Sequence, residues 1–183
     1  MIEIYKASQK EADILGVLHV EGWRGAYGGI INQEYLDGLK PGEKADLWTE
    51  WLDNPEIKAD IAYIDNHPVG FVSYGRIHTP PPGQSAIRPL YTAEILALYI
   101  LPDYWRKGVG TSLLKHAARE LKPMKHTSMC LWVLDKNKRA CGFYEKMGAT
   151  RIGKHFVEIG GTKAKEVCYG WRYTHDLIQD KSA

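Results

Sequence analysis

The sequence predicts a mixed α/β fold, and three observations carry that expectation. Short apolar runs of strand length alternate with amphipathic helical stripes along all 183 residues. Hydrophobic residues make up 44% of the chain, enough to bury a core, and no segment is too polar to fold. No repeat, low-complexity tract or linker interrupts it, so 1–183 reads as one domain.

Taken in order, Ile2 and Ile4 mark an opening strand. Ser8 precedes Glu11 by three residues, a capping box in which serine and glutamate side chains each satisfy an orphan backbone N–H. Ile14, Leu15 and Leu18 continue a helical stripe to about Gly22, and Tyr27-Gly28-Gly29-Ile30 reads as loop. Shorter helical patterns follow at Gln33 to Leu39 and, after Pro41-Gly42, at Glu43 to Leu52. Ile61–Ile64 and Val69–Tyr74 flank Asp65-Asn66-His67-Pro68 as a β-hairpin. Thr79-Pro80-Pro81-Pro82-Gly83 opens a loop to about Pro89, long enough to suggest a functional segment. Ala93 to Ile100 is largely apolar and predicts a strand buried on both faces. A helix from about Thr111 to Leu121, a buried strand at Met129 to Leu134 and a helix from Asn137 to Met147, stopped by Gly148, come next. Strands near Ile152–Ile159 and Val167–Tyr173 close the chain around Gly160-Gly161, a hairpin signal.

The 24 basic and 22 acidic side chains are interspersed and leave a formal net charge of +2, with no basic stripe for nucleic acid. Cys130, Cys141 and Cys168 lack the spacing of a zinc site, and the seven histidines are scattered, so no metal is expected. The first residues do not read as a secretion signal, and no apolar run approaches the ~18 residues of a membrane span. A soluble cytoplasmic protein acting on a small molecule, without nucleic-acid or membrane partners, is the expectation. A homodimer is compatible with it.

The stretch Glu94 to Thr111 is a strand, a glycine-bearing loop and a helix start. Gly108 and Gly110 let backbone approach a ligand closely, and the first helical turn offers N–H groups to a phosphate. Arg106 and Lys107 add positive charge. A Walker A loop is excluded because no lysine directly precedes Thr111 or Ser112, and a dinucleotide fingerprint fails at Leu113. A plain strand-to-helix turn is the bland alternative.

At these residues the chain resembles the GCN5-related N-acetyltransferase (GNAT) superfamily. That family's pyrophosphate loop reads Gln/Arg-x-x-Gly-x-Gly/Ala; here Gly108-Val109-Gly110 matches, while Trp105 stands at the Gln/Arg position. A second signature follows in Leu131-Trp132-Val133, Asn137, Ala140, Phe143-Tyr144-Glu145-Lys146 and Gly148-Ala149. The resemblance implies a mostly antiparallel sheet of about seven strands flanked by helices, with splayed central strands. It implies acetyl-CoA as the donor, held by Leu98, Tyr99, Ile100, Arg106, Lys107, Gly108, Val109, Gly110, Thr111, Asn137 and Tyr144.

The reaction it implies is direct attack by an amine. A lysine-like amine is neutral in only about one molecule in a few thousand at pH 7, so a base is needed. Glu94 is the one carboxylate in its apolar strand and is the candidate; holding a cationic substrate, or an edge position, is its plainer role. Tyr144 matches the family tyrosine that protonates the departing thiolate; a half-buried packing role is the alternative. Asn137 also reads as a helix N-cap. Trp23, Arg24 and Tyr27 lie where the family roofs its acceptor site, and Tyr74, Tyr91 and Glu21 are candidates to join them. Trp23 to Leu39 faintly resembles polyamine acetyltransferases, which ranks a small, polyamine-like amine ahead of a protein N-terminus or lysine. The alternatives from other classes are a non-catalytic acyl-CoA-binding module and, lacking either phosphate motif, a nucleotide-binding protein.

Overall fold

The computed structural model describes residues 1–85 and 87–179. Strand β1 (Ile2–Lys6) leads through a 3-10 turn into α1 (Ala12–Tyr27), α2 (Gln33–Asp37) and α3 (Pro41–Asp53). Then come β2 (Ile57–Ile64), β3 (His67–Arg76), β4 (Ala93–Ile100), α4 (Val109–Leu121), β5 (Met129–Leu134), α5 (Lys138–Lys146), β6 (Thr150–Ile159), β7 (Thr162–Trp171) and α6 (His175–Ile178). The strands form one sheet in the order β1-β2-β3-β4-β5-β7-β6. Its described neighbours run antiparallel except β4 and β5.

Local chemistry explains most boundaries. The Ser8 N–H donates to Glu11 Oε2 at 2.8 Å and the Lys10 N–H to Ser8 Oγ at 3.3 Å, which fixes the entry to α1. Asp65 and Asn66 both take positive φ, as do Gly160 and Gly161. Both pairs are two-residue hairpin loops whose handedness suits the twist of their strands. Gly148, at φ +83°, lies just beyond the α5 C-cap, as its place in the sequence predicts. Helix α1 runs a turn further than the sequence suggested, through Gly25 to Tyr27. Glycine weakens a helix by about 1 kcal/mol relative to alanine, but close packing outweighs that here. A Cβ at Gly22 would meet Tyr99 Cβ at 2.6 Å, and one at Gly25 would meet Pro102 Cγ at 2.6 Å.

The sheet carries a different core on each face. Val109, Leu113, Leu114, Ala117 and Leu121 of α4 pack on one face with Ala93, Ile95 and Leu131. Leu15 and Leu18 of α1 and Trp48 of α3 cover the other, with Ile61 and Phe71 beneath them. In β4 the residues turned to the α4 face are Ala93 and Ile95, then Leu98 and Ile100, whereas Ala97 and Tyr99 meet the α1 face. The alternation slips by one at Leu96. Register agrees, since Tyr74 pairs with Ile95 and Ser73 with Ala97, leaving Leu96 as a β-bulge.

Gly22→Ala tests the docking of α1 on β4. Added helix propensity is worth about 1 kcal/mol, whereas overpacking against a backbone-fixed Cβ costs about 1–3 kcal/mol. Urea unfolding should therefore show a net loss of up to about 2 kcal/mol; a stabilised variant would contradict the close approach.

Candidate active site

Strands β4 and β5 pair only at Ala93↔Met129 and Glu94↔Cys130, after which they diverge. The Ala93 N–H donates towards β5, to Ser128 O at 3.3 Å, while the Leu101 N–H donates towards β3, to Val69 O at 2.9 Å. The bulge between them inverts which odd-numbered amides face which neighbour. Leu98 and Ile100 therefore turn their N–H groups into the gap that β5 has left. This corrects the expectation of a strand buried on both faces: Ala93 and Glu94 are buried, but Leu98, Tyr99 and Ile100 are only half-buried.

The glycine loop closes the far end of this gap. Gly108 is the α4 N-cap at φ +86°, a left-handed conformation that disfavours a side chain. Its carbonyl receives the Ser112 N–H at 3.0 Å. The N–H groups of Val109, Gly110 and Thr111 belong to the first turn, which has no intrahelical acceptors. Gly110 fits between Ile100 Cδ1 and Phe143 Cζ, each 3.4 Å from where a Cβ would sit. Arg106 is exposed and also left-handed at φ +61°, and Lys107 holds its ammonium 5.2 Å from the Tyr104 ring centroid. Trp105, the departure from the family loop, donates its indole N–H to Ile100 O at 2.7 Å. The Ile100 carbonyl is therefore already engaged, and the Arg139 guanidinium of α5 stacks 3.2 Å above the Trp105 ring. A positive N-terminal turn, glycines without Cβ atoms and unpaired strand amides suit a pyrophosphate joined to an extended amide-bearing arm.

On the α1 face beside the bulge is a pocket of about 330 Å³, lined among others by His19, Trp23, Trp48, Trp51, Leu96 and Tyr99. Tyr99 stacks on His19 at 5.6 Å and exchanges a 2.9 Å hydrogen bond with the Tyr27 hydroxyl. Burial holds the Tyr99 phenol well above its usual pKa and pushes Tyr27 up to about 12. Tyr144 is buried on α5, its phenol likewise raised by burial and then by Tyr27. Tyr27, Tyr99 and Tyr144 thus share one dry environment. Glu94 is 5% exposed and lies behind the pocket wall. Its Oε2 accepts the His78 and Thr79 N–H groups at 2.9 and 2.7 Å, pinning the proline-rich loop. Burial raises its pKa, opposed by those two hydrogen bonds.

This arrangement matches a known family over most of the chain. The model of the acetyltransferase (GNAT) family matches residues 29–149. The chain belongs to the GNAT family. It is 30% identical over 173 residues to "Uncharacterized N-acetyltransferase YuaI" of Bacillus subtilis, covering 93% of each chain. It is 28% identical over 152 residues to a spermidine N(1)-acetyltransferase of Thermoplasma acidophilum, covering 80% of this chain and 87% of that one. The crystal structure of PaiA N-acetyltransferase from Thermoplasma acidophilum in complex with coenzyme A superimposes with a TM-score of 0.69. There the identity is 24%, over 91% of this chain and 98% of the other. The expected mixed, mostly antiparallel seven-stranded GNAT sheet is the one observed.

Several residues singled out in the sequence come together. Leu98, Ile100, Gly108, Val109, Gly110 and Thr111 border the gap, and Trp23 lines the pocket. Asn137 is the α5 N-cap, accepting the Ala140 N–H at 3.2 Å. Others lie elsewhere. Tyr74 faces the α4 side, where its hydroxyl donates to Asp60 Oδ2 at 2.6 Å. Its neighbour Ser73 lines the pocket instead, because adjacent strand residues point to opposite faces. Tyr27 supports Tyr99 from behind, and Tyr91 packs against Gly170 of β7. Arg24 pairs with Glu21 at 2.8 Å and donates to the carbonyls of Leu36, Asp37 and Leu39, stapling α1 to the segment after it.

His19, Trp48 and Trp51 are among the pocket residues that sequence reasoning missed. Their signal was spacing: His19 and Trp23 are one helical turn apart, as are Trp48 and Trp51. His19 is 6% exposed, and burial, then the Lys44 charge, lower its pKa from 6.5 to about 3. The unfolded chain therefore takes up a proton near pH 6.5 that the folded chain refuses until about pH 3. The His19 contribution is intact above pH 6.5 and is lost as pH falls through that window. At about pH 4.5 the loss should reach about 3 kcal/mol. His19→Phe removes the titration, so its urea midpoint should depend less on pH between 7 and 4.5 than that of the wild type. Parallel pH profiles would contradict a neutral buried histidine.

Proposed function

We propose that this protein is an acetyl-CoA-dependent N-acetyltransferase of one domain, acting on the primary amine of a small molecule, with a peptide N-terminus or lysine as the lesser alternative. The observation that carries the reading is the bulge at Leu96. It lies between the strand gap leading to Gly108 and the aromatic pocket, so donor and acceptor would meet across one strand. The spermidine-acetylating relative supports an amine acceptor in general. A cytoplasmic setting belongs to the same reading, supported by three buried free thiols, Cys130, Cys141 and Cys168.

Bound there, acetyl-CoA supplies a thioester-activated acetyl group. The backbone of Leu98 and the N–H of Ile100 would hold the extended arm, and the Val109, Gly110 and Thr111 N–H groups the pyrophosphate. Arg106, Lys107 and Arg139 contribute positive charge around the loop. The incoming ammonium must first lose a proton. His19, with its pKa near 3, is too weak a base. Glu94 is raised towards the amine by burial and takes that proton through a water, since it sits behind His78 rather than on the pocket wall. The amine nitrogen then forms a bond to the acyl carbon and sheds its second proton to solvent while the C–S bond breaks. Tyr144 donates its phenolic proton to the departing sulfur and is reprotonated from solvent. Burial keeps that phenol protonated at neutral pH, so its proton is available to the departing sulfur.

Tyr144→Phe deletes only the hydroxyl. With a good amine acceptor, turnover should fall by about 10²-fold while acetyl-CoA affinity changes little. Full activity would remove the proton-donor role. Tight acetyl-CoA binding by wild type without acetylation of any amine in a broad screen would favour an acyl-CoA-binding module instead.

Glu94→Gln should depress kcat/KM most at neutral pH, with partial recovery at higher pH where more of the amine is already neutral. A pH–rate profile matching wild type in height and shape would reject Glu94 as the base.

A further inference from the structure

Three side-chain polar atoms among the described residues are buried without a hydrogen-bond partner: His19 Nδ1, Trp23 Nε1 and Trp48 Nε1. All three residues line the same pocket. Buried polar groups in folded proteins are nearly always paired, so three orphans at one cavity are not expected by chance. His19 and Trp48 are the stronger pair, because Trp23 also lies near the Tyr99 hydroxyl. Protein surrounds these atoms without offering a partner, which leaves a molecule entering among the rings to supply one. An indole N–H can only donate. The missing partner of Trp48 is therefore an acceptor atom, and neutral His19 can complement it from either tautomer.

The charge around the pocket points the same way. No carboxylate is among its lining residues, and Glu94 lies behind the wall. The Lys44 ammonium stands 5.6 Å from the Trp23 ring centroid, and its charge acts on His19. A polyamine would bring a second ammonium into this field and find no carboxylate to meet it. Aromatic walls around a volume of about 330 Å³ instead suit one compact apolar body.

We infer that the acceptor is a small primary monoamine with an apolar or aromatic body and a hydrogen-bond-accepting oxygen, and that the pocket selects against polyamines. This rests on the acetyl transfer proposed for the same site. On this inference a monoamine takes the place of the polyamine-like acceptor expected from Trp23 to Leu39.

The test measures CoA release at saturating acetyl-CoA with phenylalaninamide, phenylalanine, 2-phenylethylamine and spermidine. These present a carbonyl oxygen, a carboxylate, no oxygen, and several cations. Wild-type kcat/KM for at least one oxygen-bearing amine should exceed that for spermidine by about tenfold or more; a preference for spermidine would overturn the inference. Trp48→Phe, which removes the indole N–H, should lower the ratio of phenylalaninamide to phenylethylamine about fivefold, the effect of one hydrogen bond. Lys44→Glu, at the half-buried rim beside the Trp23 ring, should raise spermidine relative to phenylalanine several-fold. An unchanged ratio in both variants would overturn the assignment of these groups to the acceptor. Release with none of the four, in a protein whose thermal midpoint acetyl-CoA raises, would sink the transfer reading itself and the inference with it.

Discussion

The site depends on a pairing that stops. After Glu94, β4 no longer follows β5, and the amides of Leu98 and Ile100 are left facing a gap inside the sheet. An unpaired backbone group away from water is costly, and central strands rarely tolerate it. One extra residue at Leu96 sets the departure by reversing the faces of everything after it. Neighbouring elements hold the result open. Gly22 lets α1 press against Tyr99 from one side, and Gly110 lets α4 and Phe143 meet Ile100 from the other. Trp105 reaches back to the Ile100 carbonyl, so only part of the exposed edge is left for a ligand.

Burial then sets the chemistry on each side of that strand. The same desolvation raises Glu94, Tyr99 and Tyr144 and lowers His19, because in every case it disfavours the charged form. A raised carboxyl is a better proton acceptor and a raised phenol stays protonated, so each is held in the state its proposed role requires. His19 becomes a neutral hydrogen-bonding group rather than a base. The aromatic side of the sheet is thus suited to an uncharged amine, and the α4 side remains an aliphatic support.

The elements and the glycine loop were legible in the sequence because their signals are local. The capping box at Ser8, the Gly160-Gly161 turn and the Gly108–Gly110 loop each act within a few residues. The aromatic pocket was less legible because it joins residues on α1, α3 and β4 that are far apart in the chain. Tyr74 shows the difficulty: an aromatic in a strand has only two faces to choose from, and β3 turns Ser73, not Tyr74, towards the pocket. The bulge at Leu96 leaves no mark in an apolar run, so the change of face along β4 becomes visible only when the register with β3 is known. Helix α1 extends through glycines that propensity alone would treat as an end, since tertiary contact supplies what propensity withholds.

The central claim is that the free edge of β4 is the donor-binding edge. Residue-resolved hydrogen exchange by NMR, without and with acetyl-CoA, addresses it directly. The Leu98 and Ile100 amides should exchange quickly in the free protein and slow markedly on binding, together with Val109, Gly110 and Thr111. The Leu101 amide, already bonded to Val69, should change little. Saturation with acetyl-CoA that leaves Leu98 and Ile100 exchanging at their free rates would contradict the account.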